Sequence, residues 1–533
     1  MSTFRELHTS SSRAHDELGK SYELPPSYTD YVKALCLRNP CLLNLFGFLS
    51  YPRGRQNACH VAALDFRENI DHPITRLIAD IDYLPDELHD TPAPAKCKED
   101  KLYHDHPLQG RILIIEDLTK DVVELLGSTL EIDPLFFAMH LHTIHRTGMR
   151  QQTPDEAILP SRLLDQNYMN FSYHRPITCD ALAPFGGRLM RDTAIDRKLV
   201  FLRSTTIGLA QHCASVIKFE LNNGFWIALI LADPPIGDTY FVDGQKDKEP
   251  HKIHLDSKPF LGAYEDFMKP PKFSSDWTHL DDRSRGGMFH DVVQYWERSI
   301  PACFDAQNPT IESLAYYPLR IVAAEWVKYV AVMQYCIKQY EYQGDRLPDL
   351  DKFNMDLREL QGWRRRSMNS QQKINSIIRQ LKAREKNSPP SGGLSLRYLI
   401  EDFELISSNI ENAGRRLENM LPVVMSLVQV IDARQSLAET ANISRLTVLA
   451  LIFVPLSFVS SLFSMNSENM PGSPHFWVYF AVAVPVTLLV VLVARPPAWI
   501  ERKLRAWTRG SKTRREQVSQ PTFKEVYKEK GIA

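Results

Sequence analysis

A chain of 533 residues is too long for one ordinary domain and implies two to four folded units. With 44% apolar and 24% charged residues it has the make-up of a protein lying mostly in water, which excludes a transporter built of many spans. A net charge of -1 provides no global field for nucleic acid.

The first twenty residues contain no apolar core, so they are not a secretory signal. Glu6, Asp16 and Glu17 also oppose a mitochondrial presequence, although Arg5, Arg13 and the serines lean toward one. Residues 1–100 read as a loop-rich cytosolic region. Within it Cys41 to Ser50 is apolar but too short to cross a bilayer, and is expected in a core. Asp82 to Asp100, with Pro85, Pro92 and Pro94, reads as a linker.

An α/β cytosolic domain is expected over 101–305. Arg111 to Asp117 reads as a strand ending in acids, and Leu118 to Gly127 as a helix closed by its glycine. Asp133-Pro134 has the form of an N-cap followed by a first-turn proline. Cys213 to Leu221 and Gly224 to Leu231 read as strands joined through Asn222-Asn223-Gly224. The eight cysteines form no C-x-x-C pair or zinc spacing and read as free thiols. His140, His142 and His145 form H-x-H-x-x-H, of which only His142 and His145 share a helix face. His104-Asp105-His106, and His251 with His254, fit a ligand spacing less well. No phosphate loop, nucleophile elbow or H-E-x-x-H occurs, so nothing supports an enzyme.

A helical stalk is expected over 306–444. Leu319, Val322, Trp326, Tyr329, Met333 and Ile337 mark the inner face of a helix from Glu312 to Gln343. A more polar helix follows from Met355 to Lys386, and Asn387 to Gly393 breaks it. From Leu394 the helical period resumes to Phe463, a rod of about 100 Å at 1.5 Å per residue, with Pro422 and Pro455 as points of local bending.

The C-terminal part contains a two-helix transmembrane domain over 445–495 and a basic cytosolic tail over 496–533. Leu446 to Phe463 and Phe476 to Ala494 carry no charge, and each approaches the roughly 20 residues a membrane helix needs. Arg434 and Arg445 precede the first span, and Arg495, Arg502, Lys503, Arg505, Arg509, Lys512, Arg514 and Arg515 follow the second. The joining loop contains Glu468 and no basic residue, which places both termini in the cytoplasm and the loop outside. Trp477, Tyr479 and Trp499 stand where interfacial aromatics belong. The basic tail suits anionic lipid better than nucleic acid.

The loop begins Ser464-Met465-Asn466-Ser467-Glu468-Asn469-Met470-Pro471, and the span before it contains Val454-Pro455-Leu456-Ser457-Phe458. This pattern resembles the CorA family of divalent-cation channels, in its fungal CorA-like branch, which carries Gly-Met-Asn at the same place. The likeness is strong from about 394 to 500, weaker over Arg111 to Leu141 and Pro318 to Tyr342, and does not reach residues 1–90. Ser464 stands where the family has glycine, and a Cβ narrows the backbone choices of that turn.

The resemblance implies an α+β cytosolic domain, long stalk helices and two C-terminal transmembrane helices. Five copies would form a funnel with the first span lining the pore. Ile443, Leu446, Ala450, Val454, Ser457, Ser461 and Ser464 follow helical spacing along one side, apolar toward the cytoplasm and hydroxyl-bearing toward the loop. Asn466, with Met465 and Ser464, is the expected selectivity element: magnesium dehydrates reluctantly, and neutral carboxamides can hold its waters without trapping the ion. Glu468 would gather cations at the mouth. Each serine could instead bond its own backbone, and Asn466 could simply cap the turn. Glu401, Asp402 and Glu404, with Glu411 and Glu418 further on, are candidates for a regulatory metal site between copies. A solvated acidic face would look the same.

The implied function is a magnesium channel at the plasma membrane, with Mg2+ as its transported and regulatory ion and no permanently bound cofactor. Its partners are further copies of the chain, the bilayer and divalent cations, without nucleic acid. A membrane-anchored scaffold that has lost conduction and a transporter of zinc or another divalent ion are the alternatives.

Overall fold

The computed structural model describes residues 27–50, 59–88, 106–141, 158–159, 161–162, 165–179, 188–202, 205–221, 224–242, 252–260, 273, 287–342, 350–385, 390–465 and 477–494. Contacts divide the chain into two compact units, Met1–Pro422 and Val423–Ala533.

The first unit opens with α1 (Tyr28–Cys36) and α2 (Leu43–Ser50). Ser27 caps α1 by accepting from the Asp30 amide. Leu42, Leu45 and Leu49 are buried, so the short apolar run at Cys41 to Ser50 does pack in a core. Next come β1 (His60–Arg67), β2 (Ile74–Ile78) and β3 (Leu108–Glu116), all in one sheet. The first hundred residues thus supply a two-stranded edge where mainly loop was expected. Arg111 explains why β1 can carry a charge in its middle. The guanidinium, fully buried, donates to Asp65 of β1 at 2.6 Å and to the Glu87 carbonyl at 2.6 Å. Arg76 of β2 closes the group on Asp65 and Glu87. Deleting one member would leave a buried charge unpaired, a loss of about 3–5 kcal/mol.

Two short helices follow, α3 (Lys120–Thr129) and α4 (Pro134–Leu141). Thr119 caps the first, and Asp133 accepts from the Leu135 amide at the start of the second, as Asp-Pro requires. Gly127 does not close α3 but lies inside it, where an added Cβ would come within 2.6 Å of the Tyr28 ring. Its small size serves the α1–α3 contact.

The sheet is completed by β4 (Tyr168–Cys179), β5 (Arg188–Arg191), β6 (Lys198–Phe201), β7 (Ile207–Glu220), β8 (Trp226–Ala232), β9 (Thr239–Val242), β10 (Lys252–His254) and β11 (Ser257–Pro259). Along its main path the order is β10-β9-β5-β6-β7-β8-β3-β1-β2, with β4 joining β7 to β11. The pair β7–β8 is the hairpin expected from Asn-Asn-Gly, with Glu220 opposite Trp226 and Gly224 at φ 78. Residues 222 and 223 lie outside the described residues. β3 and β8 run parallel, and their central residues are buried on both sides, hence their unbroken apolar runs. Helices α1 to α4 cover one face through Phe136, Phe137, Val122 and Leu126. On the other lies α5 (Met288–Arg298), whose Trp296 packs edge-on against Phe66 and Phe304.

A single turn, Ile311–Leu314, precedes α6 (Tyr316–Tyr342), so the helix expected from Glu312 is broken at Ala315. All six residues of its expected inner face are buried. α7 (Leu350–Glu385) runs back along α8 (Pro390–Ser464), which takes in Ser391, Gly392 and Gly393 as helix and not as the expected break. Residues 387–389 lie outside the described residues. In the first part of α8 Leu396, Leu399, Phe403, Ile406, Ile410, Ala413 and Leu417 are buried at alternating steps of three and four, with Ile400 buried beside them. That spacing is the seam of two supercoiled helices. Lys382–Glu404 and Arg364–Glu418 ion pairs flank it, and Gly414 lets Ser367 approach.

The second unit contains the rest of α8, from Val423, and α9 (Trp477–Ala494). Helix α8 runs through both Pro422 and Pro455 as one assigned element.

Candidate functional site

From Val423 to Ser464, helix α8 carries four charges: Asp432, Arg434, Glu439 and Arg445. After Arg445 it is uncharged, and among the described residues it is the helix long and apolar enough to cross a membrane. α9, at 18 residues, is uncharged and apolar but spans only about 27 Å. Phe476, the first residue of the second expected span, lies outside the described residues.

The two helices touch on a definite side. Phe463 and Tyr479 meet edge to face with centroids 5.9 Å apart, and Pro455, Val459 and Ala483 are buried. At about 100° per residue, Pro455, Val459 and Phe463 occupy one arc of α8. Ile443, Leu446, Ala450, Val454, Ser457, Ser461 and Ser464 occupy the opposite arc, about 80° wide. All seven are exposed, Leu446 at 71% and Val454 at 64%. Within the unit, α9 covers one side of α8 and leaves the predicted stripe bare.

Two of the three hydroxyls on that stripe have a fixed sense. Ser457 donates to the Val454 carbonyl at 3.0 Å and Ser464 to the Ser461 carbonyl at 2.9 Å. Both serines therefore bond their own backbone, as the structural alternative anticipated. The same bond engages the hydroxyl hydrogen and leaves oxygen lone pairs as acceptors. A hydrated cation presents water hydrogens outward, so such oxygens suit it and do not suit a hydrated anion. Met465 ends the described part of the turn, 84% exposed, its amide donating to Leu462 at 3.4 Å. Asn466 and Glu468 lie outside the described residues, as do Trp499 and the basic tail.

Four acids of α8 stand in ion pairs. Glu401 pairs with Arg397 at 3.3 Å, Glu404 with Lys382, Glu411 with Arg415 and Glu418 with Arg364. Asp402 is held above the usual carboxylate range, chiefly by desolvation; Arg320 opposes this and Glu401 adds to it. Glu401, Asp402 and Glu404 are all exposed, and the two glutamates are neutralised within their own chain.

His140 is a core residue. It is fully buried, its Nδ1 lies 2.7 Å from the Ser215 hydroxyl, and burial pulls its pKa down to about 3. His142, His145, His251 and the pair His104-Asp105 lie outside the described residues. The sheet instead gathers Asp238, His254 and Asp256, whose ligand atoms all lie within 4.8 Å of one another on the surface. Residues 254 and 256 signal this through their i,i+2 spacing. Asp238 joins them only through the β9–β10 pairing, in which His254 lies opposite Thr239.

Residues 330–502 match the model of the family described as CorA-like Mg2+ transporter protein. Two solved structures are similar at 11% identity. The CorA magnesium transporter from Methanocaldococcus jannaschii has a TM-score of 0.38 and covers 84% of this chain and 100% of its own. The full-length CmaX protein has a TM-score of 0.35 and covers 85% and 100%. At these TM-scores neither bears on the site. No curated protein matches.

Proposed function

We propose that the chain, whose residues 330–502 match the CorA-like Mg2+ transporter model, conducts divalent cations, magnesium foremost, through a homopentameric pore lined by α8. The observation that carries this reading is the uncharged stripe from Ile443 to Ser464, bare within its own chain and lying opposite the side α9 covers. Two membrane helices cannot enclose a conduit, so five copies would place five such stripes around one axis. The apolar part, Ile443 to Val454, would form the constriction, which passes ions only when wide enough to be wet. Ser457, Ser461 and Ser464 would receive the hydrated ion on acceptor oxygens. Asn466 would hold its water shell and Glu468 would raise the cation concentration at the mouth.

In this reading α8 and α9 both cross the plasma membrane, with the termini in the cytoplasm. Glu401 and Glu404 would meet Mg2+ together with Asp402 only when the two glutamates' ion pairs open. Zinc and other divalent ions remain within the chemistry of the stripe. Ser464, where the CorA motif has glycine, favours the second reading, an assembled anchor that does not conduct.

Magnesium flux into proteoliposomes tests both. The wild-type chain should carry Mg2+ down its gradient, and Asn466→Ala should lower the flux by about tenfold or abolish Mg2+ preference, the loss of about 1.4 kcal/mol of water-shell recognition. Intact oligomers without flux, restored by Ser464→Gly, would establish the anchor reading. Equal flux from Asn466→Ala and wild type would remove Asn466 from the filter.

A further inference from the structure

One end of the sheet carries a mixed imidazole and carboxylate group that conduction does not use. Asp238 directly precedes β9, His254 ends β10 and Asp256 lies between β10 and β11. One ligand atom from each lies within 4.8 Å of the other two, and His254 Nε2 stands 3.3 Å from Asp256 Oδ1. Donors bound to one ion at about 2.0–2.2 Å sit about 3–3.5 Å apart, so imidazole and carboxylate already hold that spacing. Backbone pairing fixes the third residue. The Leu255 amide donates to the Asp238 carbonyl at 2.8 Å and the Ser257 amide to Asp238 Oδ1 at 3.1 Å, which leaves Oδ2 uncommitted among the described residues.

The two carboxylates are also uncompensated. Among the described residues neither pairs with a lysine or arginine, and Lys252, on the same strand as His254, is drawn instead to Asp192 at 3.0 Å. By contrast Asp65 and Glu87, which also converge, share Arg76 and Arg111. Like charges brought together in this way repel unless a cation stands between them.

We infer that Asp238, His254 and Asp256 bind a single zinc-class divalent ion, with water completing its coordination. The site is built within one chain and lies in the first unit, so it does not rest on the pore reading. The donor set decides the class of ion. An imidazole with two carboxylates suits Zn2+ and its transition-metal neighbours, whereas Mg2+ prefers oxygen alone and keeps several waters. An ion held there ties the entry of β9 to the corner between β10 and β11, and through Ser257, opposite Cys179, to β4.

The experiment titrates Zn2+ into the detergent-purified full-length chain in excess Mg2+, reading bound zinc by equilibrium dialysis and the thermal midpoint. Wild type should bind one more Zn2+ per chain than His254→Ala or Asp256→Asn, each variant weakening that site by about tenfold or more, the scale for losing even an outer support of a metal ligand. Zinc should raise the wild-type midpoint more than theirs. All three ligands are exposed, so the metal-free variants should unfold at the wild-type midpoint, which assigns the lost ion to the ligand and not to folding. His142→Ala, from the H-x-H-x-x-H run, should bind as wild type. The inference is overturned if either ligand variant keeps the wild-type count and affinity, or if His142→Ala loses the same ion. It is also overturned if excess Mg2+ abolishes that ion's binding to wild type, which would mark an acidic patch that any divalent ion screens.

Discussion

His140 shows how a residue type that suggests metal chemistry can serve packing instead. Its ring sits at zero exposure against Ser215, with Asp233 3.9 Å from Nε2, and burial outweighs that carboxylate to keep it neutral. The folded pKa, about 3, lies below the ordinary value, so unfolded chains bind a proton that folded ones refuse. Stability from this residue is complete above about pH 6.5 and drains as pH falls from there toward 3, at up to about 1.4 kcal/mol per pH unit. Denaturant titrations of wild type and His140→Gln should diverge at pH 7 and approach each other as pH falls through that window. Parallel pH curves would show that His140 does not titrate on unfolding. Sequence spacing alone could not separate this role from a ligand, because the neighbour that decides it, Ser215, is 75 residues away. Gly127 is a similar case: its glycine is explained by the Tyr28 ring and not by a helix end.

At the scale of elements, the periodic helices were the most legible. The inner face of α6 was written in a repeat that only a helix satisfies, and all its expected residues are buried. β3 and the β7–β8 hairpin were readable from apolar runs and a glycine turn. β1 and β2 were not. Asp65 interrupts β1 with a charge that becomes intelligible only when Arg111 and Arg76 arrive from other strands. The Asp238, His254 and Asp256 group was hidden for the same reason. The α7–α8 seam was visible as periodicity in the helix that follows the break at Asn387 to Gly393. Phe403 lies at its centre with zero exposure, so Phe403→Ala should cost about 3–5 kcal/mol, read as a lowered midpoint in thermal or denaturant unfolding. A loss below about 1 kcal/mol would mean that the seam is not closely packed.

At the scale of the whole molecule, the proposed pore requires further copies of the chain. Native mass spectrometry of the detergent-purified chain, at 61.2 kDa per copy, should give a closed ring of five. A monomer that nevertheless conducts, or a dimer as the largest species, would contradict a pore built from α8. This assembly was legible only through family likeness, since nothing in a single chain counts its neighbours. The Ser464-Met465-Asn466 segment was the converse. It stood out in the sequence between two uncharged runs, yet Asn466 itself lies outside the described residues.

Helix α8 also changes character along its length. Up to Leu417 every turn is gripped by α7, whereas from Val423 to Ser444 no described side chain is buried. A helix of some twenty exposed residues is only marginally stable in water on its own. In the proposed pentamer its order would be borrowed from identical segments beside it, which would make helix formation and ring closure one concentration-dependent event. Dilution into detergent should first loosen that collar, and protease should cut there before it reaches the sheet.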